Sequence, residues 1–329
     1  MTLRLASLPP LPPRSPHLHK GSAGTVTVVG GCCYRATRML GAPAFAALGA
    51  LRAGCGLALL LCPEPLIIDV LQLVPSATAV ALTVDPDGEL LASSAAEALD
   101  AALIQTTTLI VGPGMGITSA AQAIALRAVQ QEQCPVIVDA DALTMLAKVP
   151  DLTRDFRARA VLTPHPGEFR RLAEALRITA DPVDPSTRSA AAEQLARRIG
   201  CIVVLKGDRT VVTDGLDTWV CQRGHPCMAT AGSGDVLAGV IAGIIAQHPP
   251  KAHNPLIALA AAKSGRPLPA QGPHQLSLIE LTCIAVEAHA IAGELWAAQN
   301  EANGGMLATE LASLIPRAVE GLRSTSKLI

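Results

Sequence analysis

Short aliphatic runs alternate with helix-like segments along most of the chain, and this alternation constrains the fold more than any other feature. Residues 107–116, 135–143 and 201–208 have the length and the β-branched content of buried strands. Helix-like segments at 119–130 and 186–199 lie between them. Such an order predicts an α/β fold with a mainly parallel central sheet and helices on both faces.

The composition agrees with that fold and excludes several classes of function. Half of the residues are hydrophobic but only 2% are aromatic, as suits aliphatic strands buried between helices. Modules that stack nucleic-acid bases need aromatic side chains. The net charge is -1 and the sequence has no basic block, so it predicts no positively charged surface that would bind nucleic acid. No apolar run reaches the roughly 18 residues that would span a bilayer. We therefore expect no nucleic-acid or membrane partner and a cytoplasmic location.

Cysteine and histidine spacing argues against a metal centre. The nine cysteines show no C-x-x-C pair and lie mostly in apolar runs, which predicts buried free thiols. The eight histidines are scattered along the chain. We therefore expect no metal held by protein ligands alone.

Proline and glycine content suggests how the chain is divided. Residues 1–19 are interpreted as a Pro-rich N-terminal lead-in, and residues 20–329 as a single domain. Residues 249–275 are rich in proline, glycine and alanine, and we expect them to form an inserted surface loop.

The stretch AGSGDVLAG (231–239) places Asp235 at the start of an apolar helix. A helix N-terminus after a glycine turn attracts phosphate, and its dipole would keep Asp235 ionised to accept a proton from an attacking hydroxyl. The alternative is that Asp235 only complements the dipole of a core helix.

Two more strands are followed by polar turns. VLKGDRT places Lys206 and Thr210 where they could reach a phosphate, although a polar hairpin edge has the same pattern. LTPHPGEF places His165 between two prolines and Glu168 in the next helix. These two residues are either functional or merely a solvated loop residue and a first-turn helix residue.

The turns VGPGMG and VDADAL complete the set. Gly114 and Gly116 would let a substrate approach the backbone, or they only form a tight turn. Asp139 and Asp141 follow a strand, where a carboxylate could meet Mg²⁺ through water. If Asp141 is the N-cap of the next helix, Asp139 still lacks an explanation.

Taken in order, these motifs resemble one family, the ADP/ATP-dependent NAD(P)H-hydrate dehydratases, which are ribokinase-like enzymes. That family restores NADH and NADPH from NADHX and NADPHX by phosphorylating the hydrate hydroxyl and eliminating phosphate, with ADP giving AMP. The resemblance implies a nucleotide co-substrate with Mg²⁺, a homo-oligomer and a separate epimerase. The matching segments are 19–31, 41–60, VGPGMG, VDADAL, LTPHPGEFRRL, VLKGDRTVV, 228–247, 285–297 and 305–322.

The resemblance also implies roles for individual residues. Asp235 matches the catalytic base and also touches the hydrate. The hydrate pocket is matched by Ala42, Gly114, Gly116 and His165. The adenine-nucleotide site is matched by Lys206, Gly207, Asp208, Arg209, Thr210, Gly232, Ser233 and Gly234.

The chain departs from the family pattern near the nucleotide. Cys227 and Ala231 replace glycines, which adds Cβ atoms at a turn expected to approach phosphate, and Asp208 adds a negative charge. Two other functions stay open: a ribokinase-like kinase of a small-molecule alcohol, and a nucleotide-binding relative without catalysis.

Overall fold

The computed structural model of the chain describes residues 3–4, 8–250 and 275–323. Apart from its two ends, the expected insertion at 249–275 lies outside the described residues. Ten described strands form one sheet. They are β1 Leu3–Arg4, β2 Thr25–Val29, β3 Leu57–Pro63, β4 Thr78–Leu82, β5 Thr108–Val111, β6 Val136–Val138, β7 Ala160–Leu162, β8 Ile202–Leu205, β9 Val211–Thr213 and β10 Asp217–Val220.

The sheet is mainly parallel, as the alternation of strands and helices predicts. Its strand order is β1-β10-β9-β8-β7-β6-β5-β2-β3-β4. Pairing is parallel from β8 through to β4, and Val26 of β2 lies opposite both Ala58 and Thr108. The hairpin of β9 and β10 adds antiparallel pairs. Because neighbouring parallel strands point the same way, the turns that follow β2, β5, β6, β7 and β8 meet at one edge.

Helices cover both faces of the sheet, so the predicted α/β architecture is confirmed. Buried residues of α1, α9, α10 and α11 share one core cluster, and those of α3, α4, α7 and α8 share the other. None of the helices described is long and apolar enough to cross a membrane. The helices are α1 Gly41–Ala53, α2 Ile67–Leu73, α3 Ala92–Leu103, α4 Ser119–Gln130, α5 Asp141–Leu146, α6 Leu152–Asp155, α7 Pro166–Leu176, α8 Arg188–Ile199, α9 Ser233–Gln247, α10 Leu278–Asn300 and α11 Ala308–Arg323.

The nine cysteines are all free and buried, as their apolar surroundings predict. Burial raises the pKa of the Cys62 and Cys134 thiols to about 12. Thiols held in the neutral form are poor nucleophiles, so these two cysteines serve as small core residues.

The N-terminal lead-in is bound to the domain from residue 8 onward. The side chain of Leu11 is 1% exposed, and its N–H donates to the Leu322 carbonyl. Arg14 donates to the carbonyl of Gly54 at the end of α1. These contacts tie the lead-in to the ends of two helices.

Small residues let α1 and α9 approach closely, and α9 carries Asp235 at its N-terminus. A Cβ atom on Gly239 would overlap the Ala46 carbonyl oxygen, and one on Gly243 would lie 2.6 Å from the Ala50 carbonyl oxygen. The backbone of α9 is therefore held directly against α1.

Gly239→Ala should lower the free energy of unfolding by about 1–3 kcal/mol, because the added methyl forces two buried helix backbones apart. Gly304→Ala is the matched control, since a Cβ atom there meets nothing within 4 Å. Thermal or urea unfolding measures both. Equal stability of the two variants would contradict the close packing of α1 and α9.

Candidate active site

Three of the residues expected to bind the hydrate lie together at the carboxyl edge of the sheet. A Cβ atom on Gly114 would be 3.3 Å from the Cβ atom of Ala42. The N–H of Gly116 donates to Asp141 Oδ2 at 2.9 Å. The turn after β5 and the start of α1 thus form one wall, which joins the acidic turn after β6.

A buried ion pair forms the centre of the site. Asp139, which follows β6, is 1% exposed, and its Oδ1 accepts hydrogen bonds from Lys206 Nζ at 2.8 Å and Thr163 Oγ1 at 2.6 Å. Burial opposes the charge of Lys206, but Asp139 and Glu168 outweigh it and raise its pKa. The Lys206 ammonium is therefore held charged at the carboxyl edge.

The turn between the two aspartates is strained. Ala140 has φ 52° and ψ −123°, a conformation that costs a residue with a side chain about 1–3 kcal/mol. Ala140 occupies the N-cap position of α5, so the alternative that Asp141 is the N-cap is wrong. Asp141 is the first residue of α5, and its carboxylate binds the glycine turn instead. Desolvation by burial raises its pKa.

His165 and Glu168 form a capping box at the start of α7. Nδ1 of His165 accepts from the Gly167 N–H at 2.9 Å, and Glu168 Oε2 accepts from the His165 N–H at 2.8 Å. The imidazole is half exposed, whereas Glu168 is buried and lies 3.9 Å from Lys206 Nζ. Burial raises the pKa of Glu168 to about 7. Both residues thus cap a helix, and Glu168 also belongs to the charged cluster around Lys206.

Asp235 lies in the first turn of α9, beside the same ammonium. A Cβ atom on its neighbour Gly234 would be 3.4 Å from Lys206 Nζ. Burial, with a smaller contribution from Asp139, raises the pKa of Asp235 to about 7, although Lys206 opposes the shift. The helix dipole was expected to keep Asp235 ionised, and burial opposes that effect. A carboxyl group with this pKa can take and release a proton near pH 7.

In the turn from Lys206 to Thr210, the lysine side chain and the residues after it have different surroundings. The Lys206 side chain points into the carboxylate cluster, while Gly207, Asp208 and Arg209 are exposed. Arg209 has φ 52°, and Thr210 Oγ1 donates to the Gly207 carbonyl at 3.1 Å. The sequence predicted that all five residues bind the nucleotide. In the structure the Lys206 side chain binds Asp139, and residues 207–209 are exposed to solvent.

The two residues that depart from the glycine pattern before α9 have separate surroundings. Cys227 is buried in the 3₁₀ turn Pro226–Met228, and its Sγ lies 3.4 Å from the Gly293 carbonyl. Ala231 is exposed, and Gly232 takes the left-handed conformation that starts α9, with φ 84°. The Cys227 side chain thus packs into the core.

His289 belongs to the site, and sequence reasoning missed it. It is buried on α10, and its Nε2 donates to the Ser233 carbonyl at 2.9 Å. Burial lowers its pKa to about 4, so the ring is neutral at pH 7. The bond ties the first turn of α9 to α10. The histidine lies in a mostly apolar helix sequence, and no local pattern marked it.

The acidic side chains do not form a ready metal cage. The part of the chain that the structure describes contains no group of three or more His, Cys, Asp or Glu side chains placed to hold a metal ion. Asp139 is occupied by Lys206, and Asp141 by Gly116. A magnesium ion would therefore need ligands from a bound phosphate as well.

Comparison with known proteins agrees with the motif order. The family model described as NAD(P)H-hydrate dehydratase matches residues 26–317. The bifunctional NAD(P)H-hydrate repair enzyme Nnr of Coxiella burnetii is 35% identical over 242 residues, covering 73% of this chain and 44% of the relative. The chain spans about half the length of the first curated relatives that it matches.

Solved structures show the same fold. The ADP/ATP-dependent NAD(P)H-hydrate dehydratase of Bacillus subtilis, co-crystallized with ATP/Mg²⁺, superposes with a TM-score of 0.71 at 27% identity, covering 96% of this chain and 99% of that one. A ribokinase-like superfamily protein of Enterococcus faecalis, 22% identical, superposes with a TM-score of 0.70 over 95% and 92%. The expected ribokinase-like fold is thereby confirmed. The chain belongs to the NAD(P)H-hydrate dehydratase family.

Proposed function

We propose that this chain dehydrates NADHX and NADPHX back to NADH and NADPH, with an adenine nucleotide as phosphoryl donor. ADP is the expected co-substrate and AMP and phosphate the products, and ATP is the alternative donor. The observation that carries this proposal is Asp235, a partly buried carboxyl of pKa about 7 at a helix N-terminus beside Lys206. Family membership supplies the substrate class.

Asp235 acts as the base in this proposal. Its carboxylate takes the hydroxyl proton of the hydrate while the hydroxyl oxygen bonds to the terminal phosphorus of the nucleotide, and the bond from that phosphorus to the leaving nucleotide breaks. Elimination of phosphate and loss of a ring proton then restore the ring double bond. Lys206 stays charged throughout, and its position beside Asp235 favours the anionic groups that meet there.

In this proposal both substrates contact Asp235. Ala42, Gly114 and Gly116 form a wall of small residues for the hydrated ring. His165, whose imidazole is half exposed, is proposed to contact the same ring. The exposed turn 207–210 and residues 232–234 at the start of α9 take the nucleotide. A helix N-terminus supplies unpaired N–H groups for its phosphates.

Magnesium enters this site with the nucleotide. Bound there, it would neutralise phosphate charge during transfer, and Asp141 is the carboxylate that could hold it through water. The Bacillus subtilis relative was co-crystallized with ATP/Mg²⁺. We likewise propose the cytoplasm as location, a homo-oligomer as assembly and an epimerase as functional partner. The nine free thiols suit a reducing compartment.

Turnover should rise with pH and level off above an apparent pKa near 7, because Asp235 must lose its proton to act as the base. The pKa of Glu168 is also about 7, so the apparent pKa of the rate profile reports Asp235 and Glu168 together. Lys206 lowers the pKa of Asp235, so the rise of turnover should occur at higher pH in Lys206→Met. Initial rates measured across pH 5 to 9 on both proteins test this. A flat profile in the wild type would count against Asp235 as base.

The direct assay follows the return of NADH absorbance from purified NADHX with Mg²⁺ and either ADP or ATP. Recovery of NADH with release of phosphate supports the proposed reaction. A stable phosphorylated product from a small alcohol, without NADH, would identify a kinase instead. Nucleotide binding without any turnover would identify a relative that has lost catalysis.

A further inference from the structure

Arg188 is a buried cation beneath the turn 207–210, and the proposed reaction does not use it. It is 8% exposed and is the first residue of α8. A positive charge at a helix N-terminus is unfavourable, because the helix dipole is positive there. Burial lowers the pKa of Arg188, and Asp208 is the acidic group that opposes the shift. The placement therefore costs free energy, which the contacts of the guanidinium must offset.

The guanidinium holds the end of β8. Its Nη2 donates to the carbonyls of Leu205 and Lys206, both at 2.8 Å, and its Nη1 donates to the Pro182 carbonyl at 3.0 Å. Its Nε is buried and has no partner in the described residues. Arg188 thus sets the direction of the two peptide groups on either side of Lys206.

That direction exposes a backbone donor. In a trans peptide the N–H points opposite to the carbonyl, so the Gly207 N–H points away from Arg188. Within the described ranges it donates to no acceptor, and Gly207 itself is exposed. Gly207 has φ 143°, and a Cβ atom there would lie 2.8 Å from Arg188 Nη2. Glycine lets the turn lie directly on the guanidinium.

We infer that Arg188 is a positioning residue for the nucleotide phosphates. It aims the Gly207 N–H at them and places a positive charge beneath the turn, partly balanced by Asp208. This inference rests on the proposed nucleotide site, and it explains the departure at Asp208, whose charge compensates a buried arginine. Arg188 binds the backbone carbonyl of Lys206, while the ammonium of the same residue binds Asp139.

Arg188→Gln should raise the dissociation constant and the KM of ADP about tenfold, equal to about 1.4 kcal/mol, while the KM of NADHX stays unchanged. Arg188→Lys keeps the charge but loses the two-carbonyl geometry, so it should recover part of the affinity. Arg198→Gln, an exposed arginine on the same helix, is the control. Calorimetric titration with ADP and initial rates supply the readouts, and circular dichroism checks the fold.

Gly207→Ala provides the second test, because it displaces the turn from Arg188 without removing the cation. It too should weaken ADP binding, and it decides the matter if Arg188→Gln does not fold. Unchanged ADP affinity in folded Arg188 and Gly207 variants overturns the inference, as does an equal rise in the KM of NADHX. Wild-type protein that binds ADP but does not convert NADHX overturns only the proposed reaction. Wild-type protein that binds no ADP overturns both.

Discussion

Asp235→Asn is expected to lower turnover of NADHX by about 10²–10⁴-fold, the contribution typical of a general base. The amide fills the same space but cannot accept the hydroxyl proton. ADP binding should persist, because the proposed nucleotide contacts come from the turn 207–210 and the N–H groups at the start of α9. Steady-state kinetics with ADP titration separates the two effects.

The substitution should not unfold the protein, and the sign of the pKa shift says why. Folding raises the pKa of Asp235 from 3.8 to about 7, so the folded state favours the protonated form. The stability gained from that form is complete below the unfolded pKa and is lost as pH rises through 7. Above pH 7, Asp235→Asn should be at least as stable as the wild type.

Asp69→Asn is the matched control, because Asp69 is also an aspartate in the first turn of a helix but is exposed. It should leave turnover unchanged. Wild-type turnover in Asp235→Asn would refute Asp235 as the base. A loss of ADP binding together with turnover would mean that Asp235 supports the nucleotide site instead.

Asp139→Leu should lower the free energy of unfolding by about 3 kcal/mol, because it leaves the Lys206 ammonium without its closest partner. The pair is largely buried, with Asp139 2% and Lys206 18% exposed at the side chain. Glu168 remains 3.9 Å from Lys206 Nζ, so the expected loss lies at the lower end for a broken buried pair. Urea unfolding measures it.

The double variant Asp139→Leu/Lys206→Met tests the cause. Removing both charges replaces a buried ion pair by apolar groups, which is often neutral for stability, so the double variant should recover most of the loss. Asp100→Leu removes one partner of the exposed pair with Arg127 and should cost less than about 1 kcal/mol. If Asp139→Leu and Asp100→Leu are equally stable, the buried pair of Asp139 and Lys206 does not stabilise the carboxyl edge of the sheet.

Long periodic segments made most of the architecture predictable. The helix expected at 119–130 is α4 with the same ends. The short helix α2 was not predicted, because seven residues carry too little periodicity to separate helix from loop. The lead-in was predicted only as an extended segment, since its contacts are with α1 and α11, which are far away in sequence.

The chain's own residues determined the parallel sheet, the edge at which its motifs meet and the identity of most candidate site residues. Strand and helix periods are local, and parallel strands bring their carboxyl ends together without further information. Only the tertiary structure decided what each group does there. Lys206 binds Asp139, burial raises the pKa of Asp235 to about 7, and Arg188 and His289 bind the carbonyls of Leu205 and Ser233. Those outcomes depend on burial and on charges brought together from distant segments, and neither quantity exists until the chain is folded.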